Sequence, residues 1–73
     1  MAVDEKAVKF HTLGNTLMAE QKFNEAIQNY QKAIELTPDY AAAVYHLAEA
    51  FEAKKLDDEA YKNYVRAIEL NAQ

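Results

Sequence analysis

The sequence predicts an all-α chain: two tandem helix-turn-helix hairpins, four antiparallel helices in a single small domain, 1–73. Three observations lead there. The first is an internal repeat. A shift of 34 residues sets Ala7 on Ala41 and, without a gap, makes eleven of 33 aligned pairs identical: Ala7/Ala41, Leu13/Leu47, Ala19/Ala53, Glu25/Glu59, Ala26/Ala60, Asn29/Asn63, Tyr30/Tyr64, Ala33/Ala67, Ile34/Ile68, Glu35/Glu69 and Leu36/Leu70. The second is spacing. Within each half the apolar residues recur at i, i+3, i+4 and i+7, the period of one helix face. The third is punctuation. One glycine and one proline are too few for a hairpin-rich β-protein, whose tight turns favour glycine, asparagine and aspartate.

The elements follow in order. Phe10, Leu13, Gly14 and Leu17 form one stripe of a helix from about Asp4 to Ala19. Gln21 to Asn24 is a mostly polar break, and Asn24 can cap the next helix by accepting a backbone N–H bond. Ala26, Ile27, Tyr30, Ala33 and Ile34 make the second stripe. Pro38 ends it, because the residue before a proline avoids the helical region. Asp39 is a candidate cap for the third helix, whose stripe is Val44, Leu47, Ala48 and Phe51. Lys54 to Asp57 is the next break, with Asp57 or Asp58 as cap, and Ala60, Tyr64, Ala67 and Ile68 form the last stripe. Connections this short place consecutive helices side by side and antiparallel. Gly14, Ala26, Ala33, Ala48, Ala60 and Ala67 sit among large apolar residues. Small residues let helix axes approach closely while large ones fill the remaining space. Tyr30 and Tyr64 both fall on packing stripes and are expected in the core.

Composition bounds the function. The chain has no cysteine, which excludes disulfides, thiolate zinc sites and thiol nucleophiles. A net charge of −4 argues against nucleic acid, which needs a basic stripe. No apolar run approaches the roughly 20 residues of a membrane span. The start, Met-Ala-Val-Asp-Glu-Lys, lacks the basic and then apolar order of a signal peptide, so a cytoplasmic setting is expected. No glycine-rich phosphate loop, serine elbow or pair of catalytic carboxylates can be picked out. A non-enzyme without a cofactor is the expectation. The carboxylates at helix starts (Asp4, Glu5, Asp39, Asp57, Asp58) read as caps and as complements to the helix dipole.

These residues resemble the tetratricopeptide repeat family, whose 34-residue pattern runs W-x2-L-G-x2-Y, then A-x3-F, then A and P. The first repeat, 7–40, has Phe10, Leu13, Gly14, Leu17, Ala26, Tyr30, Ala33 and Pro38 at those places; the second, 41–73, has Val44, Leu47, Ala48, Phe51, Ala60, Tyr64, Ala67 and then Ala72. Neither repeat has the tryptophan. Gln21 and Lys55 replace the glycine of the turn within each repeat, and the second lacks the closing proline.

The resemblance implies hairpins stacked as a short right-handed solenoid. It also implies a concave groove, lined by the first helix of each hairpin, that receives a peptide or protein partner. The candidates are Val8, His11, Thr12, Asn15 and Met18, with Ala42, Tyr45, His46, Glu49 and Glu52 from the third helix. Chaperone-binding members clamp acidic C-termini with lysine and asparagine. Here His11 stands at the lysine, Asn15 keeps one asparagine and His46 replaces another, while Glu49 and Glu52 repel acid. An apolar or basic partner is therefore expected, with no nucleic acid or membrane. The two histidines lie 35 residues apart on a 34-residue repeat and are expected to face one groove. Two histidines need a third ligand, and Glu49 is one turn from His46, but there is no i, i+4 histidine pair, so they read as exposed polar residues and not as a metal site.

Stacked repeats generally need about three copies for stability, and two leave an edge. Phe51, Tyr61, Val65 and Ile68 are the candidate self-association edge. A piece of a longer array, a self-sufficient natural or engineered pair, and a homo-oligomer, formed for example by hairpin exchange about Thr37–Pro38, all remain open.

Overall fold

A computed structural model describes residues 3–72. They form four helices: α1 (Glu5–Ala19), α2 (Phe23–Leu36), α3 (Ala41–Ala53) and α4 (Asp57–Asn71). There is no strand among the described residues. α1 packs on α2, α3 on α4, and α2 carries the main junction between the two hairpins. Gln73, the last residue of the predicted second repeat, lies outside the described residues.

Asp4 is the N-cap of α1: its Oδ1 accepts from the backbone N–H groups of Lys6 at 2.7 Å and Ala7 at 3.4 Å. These satisfy two of the donors that a helix start leaves free. The other expected caps are not used. Asn24 lies within the first turn of α2, whose N-cap is Lys22; the N-cap of α3 is Tyr40, not Asp39; and that of α4 is Leu56. None of the three makes a side-chain cap bond. Asp57, Asp58 and Glu59 instead fill the first turn of α4, where negative charge complements the helix dipole.

The reason lies in the turns. After α1, Gln21 N–H donates to the Met18 carbonyl (2.9 Å) and Lys22 N–H to the Leu17 carbonyl (2.8 Å). After α3, Lys55 N–H donates to Glu52 (2.9 Å) and Leu56 N–H to Phe51 (2.9 Å). This paired closure requires a left-handed residue, and Gln21 and Lys55 both have φ of 62°. It brings the chain straight into the next helix at Phe23 and Asp57, earlier than the polarity of the break suggests in the first case. A side chain in that conformation costs roughly 1–2 kcal/mol that glycine would avoid.

Matching residues make matching bonds. Asn29 Nδ2 donates to the Glu25 carbonyl and Asn63 Nδ2 to the Glu59 carbonyl, both at 2.8 Å. Three apolar clusters form the core. Ala26, Tyr30, Leu47 and Ala50 make one; Ala7, Ala33 and Ala43 the second; Val44, Ala67 and Leu70 the third. Ile34 packs against all three. Ala7, Ala26, Ala33, Ala43, Ala48 and Ala50 are wholly buried, so small side chains set how closely the helices approach. Phe10 is half-buried on the second cluster, with Lys32 Nζ 5.5 Å from its ring centroid.

Three stripe residues depart from expectation. Leu13 is exposed, although it shares α1 with the buried Gly14. Ile68, placed on the last packing stripe, is 68% exposed. Tyr64, expected in the core beside Tyr30, is only half-buried. Tyr30 is sealed by the second hairpin; no helix among the described residues performs that service for Tyr64.

Candidate functional site

α1 and α3 run close enough to bring their expected groove residues together. His11 projects from the second turn of α1 and His46 from the second turn of α3, and they meet: His11 Nε2 lies 2.7 Å from His46 Nδ1. His11 Nδ1 is 2.8 Å from the hydroxyl of Tyr40, in the connection that precedes α3. His46 Nε2 in turn lies 3.8 Å from Glu49 Oε1, one turn along α3. One proton assignment satisfies the row. The Tyr40 hydroxyl donates to His11 Nδ1, His11 Nε2–H donates to His46 Nδ1, and His46 Nε2–H points at the Glu49 carboxylate. His11 then has one donor and one acceptor in use, while His46 accepts at Nδ1 and faces Glu49 with Nε2–H beyond hydrogen-bond distance. The histidines are thus half-buried and joined to each other, not separate exposed polar groups.

The rings continue beyond the pair. His11 lies edge-on to Tyr40 (4.9 Å between centroids) and near Tyr30 (5.8 Å). His46 meets Tyr45 edge-on at 5.6 Å, and Tyr45 meets Tyr64 at 5.5 Å. The two tyrosines at matching repeat positions each bond a residue of the preceding helix. Tyr30 donates to Asn15 Oδ1 at 2.6 Å and Tyr64 to Glu52 Oε1 at 2.5 Å. Glu49, one period after Asn15, attends His46, and Tyr64 takes the carboxylate one turn further on. Burial, with the Glu49 carboxylate second, pushes the Tyr30 hydroxyl up to about 12. The hydrogen bond to Glu52, with burial second, lifts Tyr64 above the usual tyrosine range. Both hydroxyls therefore stay protonated as donors near neutral pH.

The remaining expected residues divide. Tyr45 is 46% exposed and Glu52 is exposed, while Glu49 is half-buried. Met18 is half-buried and packs into the first core cluster, so its role is support. Val8, Thr12 and Ala42 are exposed. Tyr40, which bonds His11, was not among the expected residues. It lies between helices, where no periodicity marks it; its only sequence signal is an aromatic ring directly before the third helix. α3 contains no lysine or arginine, so Glu49 and Glu52 have no cation from their own helix. Among the described residues no group of three or more histidine and carboxylate side chains is placed to hold a metal ion.

Two family models match. One for the TPR repeat matches residues 14–55 and one for the tetratricopeptide repeat matches residues 41–73. The chain belongs to the tetratricopeptide repeat family. No curated protein matches the chain closely. Tetratricopeptide repeats generally mediate protein–protein interaction and are typically non-catalytic. None of the four tetratricopeptide helices described is long and apolar enough to cross a membrane.

The histidine pair gives this repeat a pH dependence. Burial, then the neighbouring His46, lowers the pKa of His11 from its ordinary 6.5. The unfolded chain therefore binds more protons than the folded one just below that value. Stability is fully present above about pH 6.5 and falls as the pH drops toward the folded pKa. Protonating both rings would also set two N–H groups against each other across 2.7 Å. Thermal melts at about pH 7.5 and about pH 5.5 should show a lower Tm in acid, and His11→Gln should flatten that difference. Equal slopes in the two proteins would contradict the assignment.

Proposed function

We propose that the chain is a non-catalytic binding module, built of repeats 7–40 and 41–73. It holds a segment of a protein partner along the face shared by α1 and α3, and prefers apolar or basic residues to acidic C-terminal tails. The observation that carries this reading is the exposed ring of Tyr45 set between Tyr64 and His46, with Glu49 and Glu52 alongside. Aromatic rings with one polar end suit such contact surfaces, and a cation can sit on a ring face beside a carboxylate. His11 and Tyr30 lie beneath, and the exposed Asn15 fixes the Tyr30 hydroxyl. Val8 and Thr12 extend the face along α1, with Met18 supporting it from the core side.

Titration calorimetry with two short peptides, one lysine-rich with apolar residues and one ending in several carboxylates, tests the reading. The basic peptide should bind more tightly. Glu49→Lys should weaken it about tenfold, which corresponds to ~1.4 kcal/mol, and Tyr45→Ala should weaken both its affinity and any apolar contact. Tight, salt-sensitive binding of the acidic peptide would overturn the preference. The alternative role, self-assembly, concerns a different face.

A further inference from the structure

α4 carries an apolar stripe that nothing in the described structure covers. Tyr61 is 71% exposed, Val65 36% and Ile68 68%, at i, i+4 and i+7 of one helix. One period earlier stand Ile27, Gln31 and Ile34. Ile27 and Ile34 are half-buried because Leu47 and Ala50 of α3 share their cluster, and Ile34 also meets Ala43 and Val44. The same positions are thus a seat for a helix in the first hairpin and a bare face in the second. A contiguous exposed apolar stripe is a candidate contact surface.

The chain itself offers two helices as occupant. α1 of another copy would have to take the place that α3 takes internally. Where α3 seats the wholly buried Ala43 and Ala50, α1 has Lys9 and Thr16. A lysine cannot enter a position that admits only a methyl group without burying its charge. The head-to-tail arrangement is therefore opposed by the sequence of α1.

α4 of another copy has no such obstacle. At a rise of ~1.5 Å per residue, Tyr61 lies ~6 Å before Val65 and Ile68 ~4.5 Å after it. In an antiparallel pair of α4 helices related by a twofold axis at Val65, Tyr61 of each copy faces Ile68 of the other. Lys62 and Glu69, both exposed, lie together on the other flank of the stripe at the mirrored offsets. The same register thus sets Lys62 of each copy opposite Glu69 of the other. A parallel pair would carry Lys62 and Glu69 of the two copies to opposite flanks and forfeit the charge match. The apolar match and the charge match demand one register, and a twofold axis provides each contact twice.

We propose that a second copy of this chain covers the stripe, α4 packed antiparallel on α4 about Val65. Sedimentation equilibrium over a wide concentration range tests it, with circular dichroism confirming that each variant folds. The 73-residue chain should move from monomer to dimer as concentration rises. Ile68→Glu should abolish the dimer. Lys62→Glu and Glu69→Lys should each weaken it several-fold, and the double variant should restore it. A chain that stays monomeric into the millimolar range overturns the proposal. So does a dimer insensitive to Ile68→Glu but broken by Lys9→Glu, or a double variant no better than the single ones.

Discussion

Replacing Tyr30 with alanine should leave the chain largely unfolded at room temperature. Tyr30 is 1% exposed and is the largest side chain fully enclosed by the fold. Its ring joins Ala26 of its own helix to Leu47 and Ala50 of α3, so it belongs to both hairpins. Its hydroxyl holds Asn15, and its ring lies beside both histidines. Truncating a buried aromatic costs about 3–5 kcal/mol. A core of this size supplies about the same amount in total, so little folded protein should remain. Tyr64→Ala removes the identical residue from the second hairpin. That side chain is half-buried and its hydroxyl bond is at the surface, so the cost should fall to about 1 kcal/mol, the ordinary range for a point substitution. Urea titrations followed by circular dichroism compare the two. Equal losses would mean that α3 does not seal Tyr30.

Gly14→Ala should also destabilise the fold, against the usual effect of that change in a helix. Alanine in place of glycine favours a helix by about 1 kcal/mol. Here the new methyl group would lie 2.5 Å from Tyr30 Cε1 and 2.6 Å from Cδ1. The ring cannot swing aside freely, because Asn15, His11 and His46 hold it. Forcing it to move costs about 1–3 kcal/mol, and the net change should be a loss. Ala48 holds the matching place in the second hairpin and is wholly buried with its methyl group present. Ala48→Gly should lose the helix preference with no packing gain. The two matching positions thus favour opposite residues, and a urea midpoint for each variant checks both. A more stable Gly14→Ala chain would show that Tyr30 is not confined.

The repeat and the four helices were legible because helical periodicity and a fixed 34-residue shift are properties of the chain alone. Pro38 and Asp4 marked boundaries for local reasons, and both act as expected. Asn24, Asp39, Asp57 and Asp58 misled because the turn closure, not a capping side chain, determines where the next helix begins. Burial was less legible than position. Tyr30 and Tyr64 occupy matching places and donate matching hydrogen bonds, yet their exposure depends on whether another hairpin lies against them. Phe51, named with the self-association edge, is half-buried against the cluster of Ala26, Tyr30, Leu47 and Ala50. Tyr61, Val65 and Ile68 are its exposed members. The histidines were placed on one groove by their separation, but their direct bond depends on the approach of α1 to α3. Tyr40 completes the row from a connection that carries no period.

The claim beneath all of this is that α2 and α3 join the hairpins into one body, with the proposed binding face running across the joint. Nuclear Overhauser contacts in the free chain measure it directly. Contacts should run from the Ile34 methyl groups to Val44, and from the Tyr30 ring protons to Leu47 and His46. A spectrum with contacts inside each hairpin and none between them would contradict the joint, and with it the site.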